Sequence, residues 1–337
     1  MMAPVRQPLL QVRGLCKFFP VFRRGFMKRK VGEIRAAEDV SFDLIPGETL
    51  GLVGESGSGK TTVARTILRA HDPTRGEILF RDGDTTIDLA QLNSAEMKPL
   101  RTKMQMVFQD PFASLNPRLT VHDIVAEPLV IHRLARGSAL EDRVSETLRL
   151  VGLKPEHRHR YPHAFSGGQR QRIGIARALI MRPSLIVADE AVSALDVSVQ
   201  AQVINLLRRL QVELGLTILF IAHDLSVVRH LCTRVAVMYA GRLVETADTV
   251  ALFEDPKHPY TRTLLSAVPL PDPDRRIDFG VGGEAADPGR LPPGCSFHPR
   301  CPNRFEPCDR AVPQLRSIGE RRNTACYLYE QAEGGGE

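Results

Sequence analysis

The sequence predicts an α/β fold: a parallel sheet with an antiparallel β-subdomain, an inserted helical subdomain and a small loop-rich C-terminal extension. Three observations predict it. The glycine-rich segment Gly54-Glu-Ser-Gly-Ser-Gly-Lys60-Thr61-Thr62 lies between an apolar run, Thr49–Val53, and a helical pattern, Val63–Arg69. From residue 184 onward strand, helix and strand patterns alternate, as they do where parallel strands are joined by crossover helices. Between these two regions, residues 121–180 are mostly helical in pattern.

The elements follow in order. Residues 9–19 and 40–53 alternate or run apolar and predict strands, with a turn at Pro46-Gly47. The basic stretch 20–33, with Arg23, Arg24, Lys28, Arg29 and Lys30 among Phe22, Phe26 and Met27, is expected to be a flexible surface insertion between two strands. Contact with anionic headgroups is its other reading. Gly76–Phe80 predicts a strand with a turn at Asp82-Gly83, and 104–108 a strand leading into Gln109. Ser138 and Glu141 have the spacing of a capping box, and Gly152 of a helix stop. A helix over Val199–Leu214 places Val203, Leu206, Leu207 and Leu210 on one face and ends at Gly215. Arg234–Glu245 predicts a hairpin around Ala240-Gly241.

The glycine-rich segment fits the P-loop pattern G-x-x-x-x-G-K-[ST] at every fixed position, in the strand–loop–helix context the pattern requires. Gly54, Gly57 and Gly59 let backbone N–H groups turn inward on phosphate oxygens, with Glu55, Ser56, Ser58 and Thr62 completing the loop. The helix start adds its positive dipole end. Lys60 is suited to the β- and γ-phosphates of a nucleotide and Thr61 to Mg²⁺. A second candidate phosphate surface is Ser166-Gly167-Gly168-Gln169, at the start of a helix over the run from Arg170. An apolar strand then ends in Asp189 and Glu190, one carboxylate suited to Mg²⁺ and the next to polarising water. Ser193–Asp196 follows, and His223 closes the strand Leu216–Ala222.

In this order the segments resemble an ATP-binding-cassette ATPase. The resemblance implies a P-loop NTPase sheet over residues 8–255, with Ser166, Gly167, Gly168 and Gln169 as the signature that meets the ATP of a partner subunit. It implies that Glu190 is the catalytic base, His223 the switch histidine and Asp196 a D-loop residue. Gln109 matches the glutamine that senses γ-phosphate, and Mg²⁺ falls to Thr61, Gln109 and Asp189. Phe19 matches the aromatic under adenine, with neighbouring Phe18 a competitor because adjacent strand residues face opposite ways. The sequence departs from the family pattern in two places. Phe165 opens the signature where many members have Leu, an apolar exchange of little expected effect. Ala191 follows Glu190 where Pro is common, which removes a fixed φ beside the base and is expected to hold Glu190 less firmly.

The tail narrows the resemblance. Pro256-Lys-His258-Pro259-Tyr260 is similar to the His-Pro-Tyr element of oligopeptide and dipeptide importer ATPases. The stretch Phe108–Pro117 and the insertion at 20–33 resemble the second of the two ATPases in such systems. The implied function is ATP hydrolysis that energises peptide import, in a heterodimer with a second cassette ATPase, on two transmembrane permeases served by an extracytoplasmic solute-binding protein. The implied location is the cytoplasmic face of the membrane. Import of nickel or another small solute stays open, as does a role in a soluble ATP-dependent complex. Soluble cassettes of DNA repair or the ribosome usually carry two cassettes per chain, against one P-loop here.

The extension over 256–330 holds Cys295, Cys301, Cys308 and Cys326 in a Pro- and Arg-rich context. Clustered cysteines without paired C-x-x-C knuckles leave a zinc site, an iron–sulfur centre or reduced thiols open. The segment resembles the importer-ATPase cysteine motif, some examples of which carry a [4Fe-4S] cluster. Its expected role is to fold a tail too poor in apolar residues for its own core. Cys16 and Cys232 sit in apolar contexts and are expected to be inert. Residues 331–337 are expected to be disordered. The net charge of +6 comes from basic residues spread along the chain, which points to no specific nucleic acid. No run approaches the roughly 18 apolar residues that span a bilayer, and the N-terminus has no apolar signal-like core.

Overall fold

The structure, a computed structural model, describes residues 7–23, 29–267, 286–287 and 289–330. The expected tail at 331–337 and the centre of the basic stretch, including Arg24, Phe26, Met27 and Lys28, lie outside the described residues. In chain order the elements are β1 (Leu10–Arg23), β2 (Arg29–Leu44), β3 (Thr49–Val53), α1 (Lys60–Ile67), β4 (Arg75–Asp82), β5 (Thr85–Asp88), α2 (Ser94–Leu100) and β6 (Met104–Val107). There follow α3 (Pro111–Ser114), α4 (Val121–Ile131), α5 (Gly137–Leu150), α6 (Gly167–Leu179), β7 (Leu185–Asp189), α7 (Val197–Leu214), β8 (Thr217–Ala222) and α8 (Leu225–Leu231). The chain ends with β9 (Arg234–Tyr239), β10 (Arg242–Asp248), α9 (Thr249–Glu254), α10 (Pro259–Ser266), β11 (Arg316–Gly319) and β12 (Arg322–Thr324).

The contacts divide the chain into two compact units. The first comprises Met1–Leu9, Leu44–Thr49 and Gln91–Ile221. Its strands β6, β7 and β8 run parallel, with Met106 opposite Val187 and Val187 opposite Leu219. Every residue of β7 is buried, as is every residue of β8, the pattern of strands covered on both faces. Helix α7 lays Val203, Leu206, Leu207 and Leu210 into this core and stops at Gly215, whose φ of 62° suits a residue without Cβ. Three helices open with reciprocal capping boxes: Asn93 with Glu96, Thr120 with Asp123, and Ser166 with Gln169.

The second unit comprises Leu10–Asp43, Leu50–Ala90 and Ala222–Glu337. It holds an antiparallel sheet of order β2-β1-β4-β5 and a second run of order β11-β12-β10-β9-β3. Strand β3 is parallel to β9, with Leu52 opposite Ala236. The hairpin of β9 and β10 turns through Ala240 and Gly241, both in the left-handed region at φ 46° and 84°. The C-terminal strands join this same unit, because β12 pairs with β10 at Glu245 and Thr246.

Three expectations change. The stretch 20–33 is largely strand at both ends, since β1 continues to Arg23 and β2 begins at Arg29. Val21, Phe22, Val31 and Ile34 are β-branched or aromatic residues that favour strand, a signal the basic composition obscured. Ser138 does not cap α5. Gly137, at φ 57°, turns the chain into the helix one residue earlier, so Ser138 lies inside the first turn and Arg136 occupies the cap without a side-chain bond. Cys16 is buried but not in an apolar setting, because its sulfur faces Arg75 Nε at 3.0 Å and receives the Asp39 N–H at 3.3 Å. Cys232 is buried among apolar groups, which pushes its thiol pKa up and keeps it protonated.

Burial of α7 on its sheet dictates the stability of the first unit. Leu207→Ala should destabilise the protein by about 2–5 kcal/mol through the lost side chain and the cavity it leaves. Val197→Ala, at an exposed position of the same helix, should stay within about 0.5 kcal/mol. Urea unfolding of both variants checks the contrast.

Candidate functional site

The phosphate loop belongs to the second unit. It departs from β3 at Gly54 and enters α1 at Lys60. Gly54, Gly57 and Gly59 take φ values of 151°, 79° and 101°, a region side-chain-bearing residues rarely adopt. A Cβ on Gly54 would stand 2.2 Å from the Met238 carbonyl oxygen, and one on Gly59 2.0 Å from that of Ala36. The loop backbone therefore lies directly against β9 and β2. Lys60 is buried, and its ammonium donates to the carbonyls of Gly54 (2.7 Å) and Glu55 (2.8 Å) and to Ser58 Oγ (3.2 Å). Thr61 and Thr62 follow in the first turn, half-buried, while Ser56 and Gly57 are exposed at the tip. A concave loop of left-handed glycines with a lysine folded beneath it is a nest suited to an anionic phosphate chain.

Two aromatic residues compete on β1. Phe18 carries the guanidinium groups of Arg35 and Arg75 at 5.6 and 5.9 Å from its centroid. Phe19 meets His71 edge-on at 5.5 Å and the Lys17 ammonium at 4.9 Å. His223 follows β8 directly and is exposed, and the next residue, Asp224, caps α8 through the Ser226 N–H at 2.8 Å.

The acidic residues belong to the first unit. Asp189 ends the all-buried β7 and is itself 4% exposed. An ionised carboxylate there favours a nearby cation. Glu190 sits at φ 47°, a strained left-handed conformation for a residue with Cβ. Its N–H donates to the Ile221 carbonyl at 3.0 Å, and its own carbonyl accepts the Ser193 N–H at 3.1 Å and hydroxyl at 3.0 Å. The Gln109 amide donates to the Glu190 carboxylate at 2.8 Å and lies 3.4 Å from Ser193 Oγ. The structure thus brings Gln109, Glu190 and Ser193 together.

The segment around Gln109 is clasped by α6. The Arg170 guanidinium lies 4.1 Å from the Phe112 centroid, Arg177 donates to the Ser114 carbonyl at 2.8 Å, and the Gln171 amide reaches the Phe108 carbonyl at 3.4 Å. Sequence reasoning did not single out these three residues, because an Arg-rich helix face looks like ordinary solvated charge. Ser166 opens α6, accepting the Gln169 N–H at 3.3 Å while Gln169 Oε1 accepts the Ser166 N–H at 3.1 Å. Phe165, where Leu is common, is buried and anchors the turn. A Cβ on Gly168 would lie 2.3 Å from Val199 Cγ1 of α7, and one on Gly167 3.4 Å from Leu195. These glycines therefore let α6 approach the start of α7. Asp196 stands at the cap position of α7, exposed and with no side-chain capping bond.

The four C-terminal cysteines lie in the second unit and all line one small cavity of about 20 Å³, together with His258, Phe297 and His298. None forms a disulfide. The Cys295 N–H donates to the Cys308 carbonyl at 2.8 Å, which ties two of the segments together. Burial pushes the thiol of Cys295 up to about 11 and that of Cys326 up to about 12. Among the described residues no group of three or more His, Cys, Asp or Glu side chains is drawn to the spacing of a metal-holding set.

This arrangement is that of an ATP-binding cassette, and comparison with known proteins agrees. The family described as ABC transporter matches residues 37–193, and the oligopeptide/dipeptide transporter C-terminal region matches residues 244–308. An oligopeptide transport ATP-binding protein of Bacillus subtilis is 48% identical over 98% of this chain and 100% of its own length. A probable peptide ABC transporter ATP-binding protein of Sinorhizobium fredii is 50% identical over 95% of this chain and 90% of its own. Among solved structures, a dimeric cassette in a post-hydrolysis state with ADP and phosphate aligns at a TM-score of 0.61 and 29% identity, covering 71% of this chain and 98% of that one. A cassette from Clostridium perfringens, part of an ABC transporter complex, aligns at 0.62 and 26%, covering 74% and 91%. The chain belongs to the ATP-binding-cassette ATPases, and within them to the branch that carries the oligopeptide/dipeptide transporter C-terminal region. It is an ATP-binding ATPase. No helix among the described residues is long and apolar enough to cross a membrane.

The close approach of α6 and α7 makes a specific demand. Gly168→Ala should destabilise the protein by about 1–3 kcal/mol through overpacking on Val199. Adding Val199→Ala should recover most of that loss. Thermal unfolding of the single and double variants checks both.

Proposed function

We propose that this chain is the ATP-hydrolysing subunit of an importer that carries peptides across the cytoplasmic membrane, working from the membrane's cytoplasmic face. The observation that carries the reading is the Gln109–Glu190–Ser193 constellation, in a chain whose phosphate loop lies within the ABC transporter match and whose residues 244–308 match the oligopeptide/dipeptide transporter C-terminal region. Lys60 and the backbone of Gly54–Thr62 bind the phosphates, and Phe19 stacks on adenine. Thr61, Gln109 and Asp189 offer hydroxyl, amide and carboxylate oxygens, the hard donors that suit Mg²⁺, which when bound neutralises phosphate charge. Glu190, held by Gln109, orients a water for in-line attack on the γ-phosphate. His223 steadies the developing charge. Ser166–Gln169 and Asp196 meet the nucleotide of a second cassette subunit, so closing the pair assembles each site.

The partners in this reading are a second, different cassette ATPase, two transmembrane permeases docked near Gln109, and a solute-binding protein outside the membrane. The four C-terminal thiols, unbridged and facing one cavity, are soft donors that fit a [4Fe-4S] cluster, which would brace the extension. Zinc is the other occupant their chemistry admits.

Three measurements test the reading. In the assembled complex, with the sister subunit made hydrolytically dead, Glu190→Gln should keep ATP binding and lower turnover at least about a hundredfold. Normal hydrolysis in that setting would remove Glu190 as the base. Native purification from detergent-solubilised membranes should recover two multi-span permeases and a second cassette ATPase, and a purely soluble set of partners would overturn the transport reading. Anaerobically purified chain should carry iron and acid-labile sulfide in equal amounts, lost in Cys301→Ser. Zinc without sulfide would assign the thiols to zinc instead.

A further inference from the structure

The His-Pro-Tyr element and the cysteine segment meet the phosphate loop at one residue, Glu55. The Glu55 N–H donates to the Tyr260 hydroxyl at 2.8 Å. Its carboxylate takes both terminal nitrogens of Arg300, at 3.0 and 3.1 Å, in a bidentate pair. Its carbonyl accepts the Lys60 ammonium at 2.8 Å and the Ser58 N–H at 3.2 Å. Glu55 is therefore held at its amide, its carbonyl and its side chain, and it joins the loop lysine to two residues of the C-terminal extension.

Both braces are themselves rigid. Tyr260 is fully buried, and burial pushes its phenol pKa up, so it stays neutral. Its ring packs against Tyr239 at 4.6 Å and Phe297 at 5.4 Å. The rest of the element fixes its backbone. His258 Nδ1 accepts the Tyr260 N–H at 3.0 Å, Pro259 starts α10, and the His258 N–H is held by the buried Glu245 carboxylate at 2.8 Å. Arg300 lies in a tight turn, His298–Arg300, directly between Cys295 and Cys301. The His298 N–H donates to the Cys295 carbonyl at 2.9 Å, and the Cys301 N–H to the His298 carbonyl at 3.2 Å. The Arg300 guanidinium rests over Phe297 and Tyr239.

We propose that Tyr260 and Arg300 are positioning residues for the phosphate loop, acting through Glu55, and that the cysteine segment sets nucleotide affinity through them. The inference rests on the ATP-binding reading of the loop. Neither residue touches the phosphates. They fix Glu55, and with it the carbonyl that Lys60 grips. The His-Pro-Tyr element thus acquires a task in which each residue has a part: a cap, a helix start and a hydroxyl on the loop. Because Arg300 adjoins Cys301, a change that reorders the thiol segment moves the brace.

The test is titration of the full-length chain with a fluorescent ATP analogue in Mg²⁺, with nucleotide-free thermal unfolding in parallel. Tyr260→Phe, which removes one oxygen from a buried ring, and Arg300→Met should each weaken binding about tenfold. Arg300→Lys should recover part of that loss. Glu55→Gln combined with Arg300→Met should bind about as Arg300→Met alone does, because the pair acts as a unit. Affinities within twofold of wild type for both single variants would overturn the proposal, even with a lowered melting temperature, since bracing would then be structural only. Additive losses in the double variant would also overturn it. A wild-type chain that failed to bind the analogue would overturn the ATP-binding reading, and the brace with it.

Discussion

The phosphate loop closes only because two of its residues have no side chain, and the second unit is built around that constraint. With the Met238 and Ala36 carbonyls pressed on Gly54 and Gly59, β9 and β2 form the floor of the loop. The turn of the β9–β10 hairpin completes the interlock. The Gly241 N–H donates to the Ser58 carbonyl at 3.0 Å, while the Gly241 carbonyl accepts the Glu38 N–H at 2.8 Å. Glu38, nearly buried, is neutralised by Arg35 at 2.9 Å and Arg242 at 3.1 Å. A buried carboxylate between two cations is stable only while both remain in place, so the hairpin, β2 and the loop hold one another in register.

This explains what was legible in the sequence and what was not. Local chemistry was legible. The glycine pattern at 54–59, the apolar run of β7, the face of α7 and the helix start at Ser166 each depend on neighbours within a turn or two. The parts that escaped depend on long-range meetings. Arg300 and Glu55 are 245 residues apart, and nothing in the composition around Arg300 distinguishes it from the other arginines of the tail. The clasp of Arg170, Gln171 and Arg177 on the segment around Gln109 is hidden for the same reason. The failed capping box at Ser138 is a different case. Its spacing was right, but Gly137 offered the chain an earlier turn, and backbone freedom outweighed a side-chain bond worth about 1 kcal/mol.

The first unit holds two acidic residues at one strand end. Asp189 is the last residue of the all-buried β7. Glu190, one residue on, has left the strand and is fixed by hydrogen bonds. Successive residues of a strand face opposite ways, and a further extended residue would aim Glu190 away from Asp189. The left-handed turn at Glu190 breaks that alternation, and the strain of about 1–3 kcal/mol is offset by the bonds its amide and carbonyl make to Ile221 and Ser193.

Ala191 belongs to this same balance. A proline there would fix its own φ and crowd the residue before it, which disfavours helical backbone angles at that residue. Alanine removes this restriction, and it is buried at 1% exposure, so packing rather than a ring limits its movement. Contacts on Glu190 include Ile221 on the amide, Ser193 on the carbonyl and Gln109 on the carboxylate. Of these, only the Gln109 bond comes from an exposed side chain on an irregular segment. It is therefore the contact that can be made and broken while the backbone of Glu190 stays where the strand end puts it. A carboxylate whose backbone is fixed and whose amide partner can leave can change its hydrogen bonding without moving the strand end.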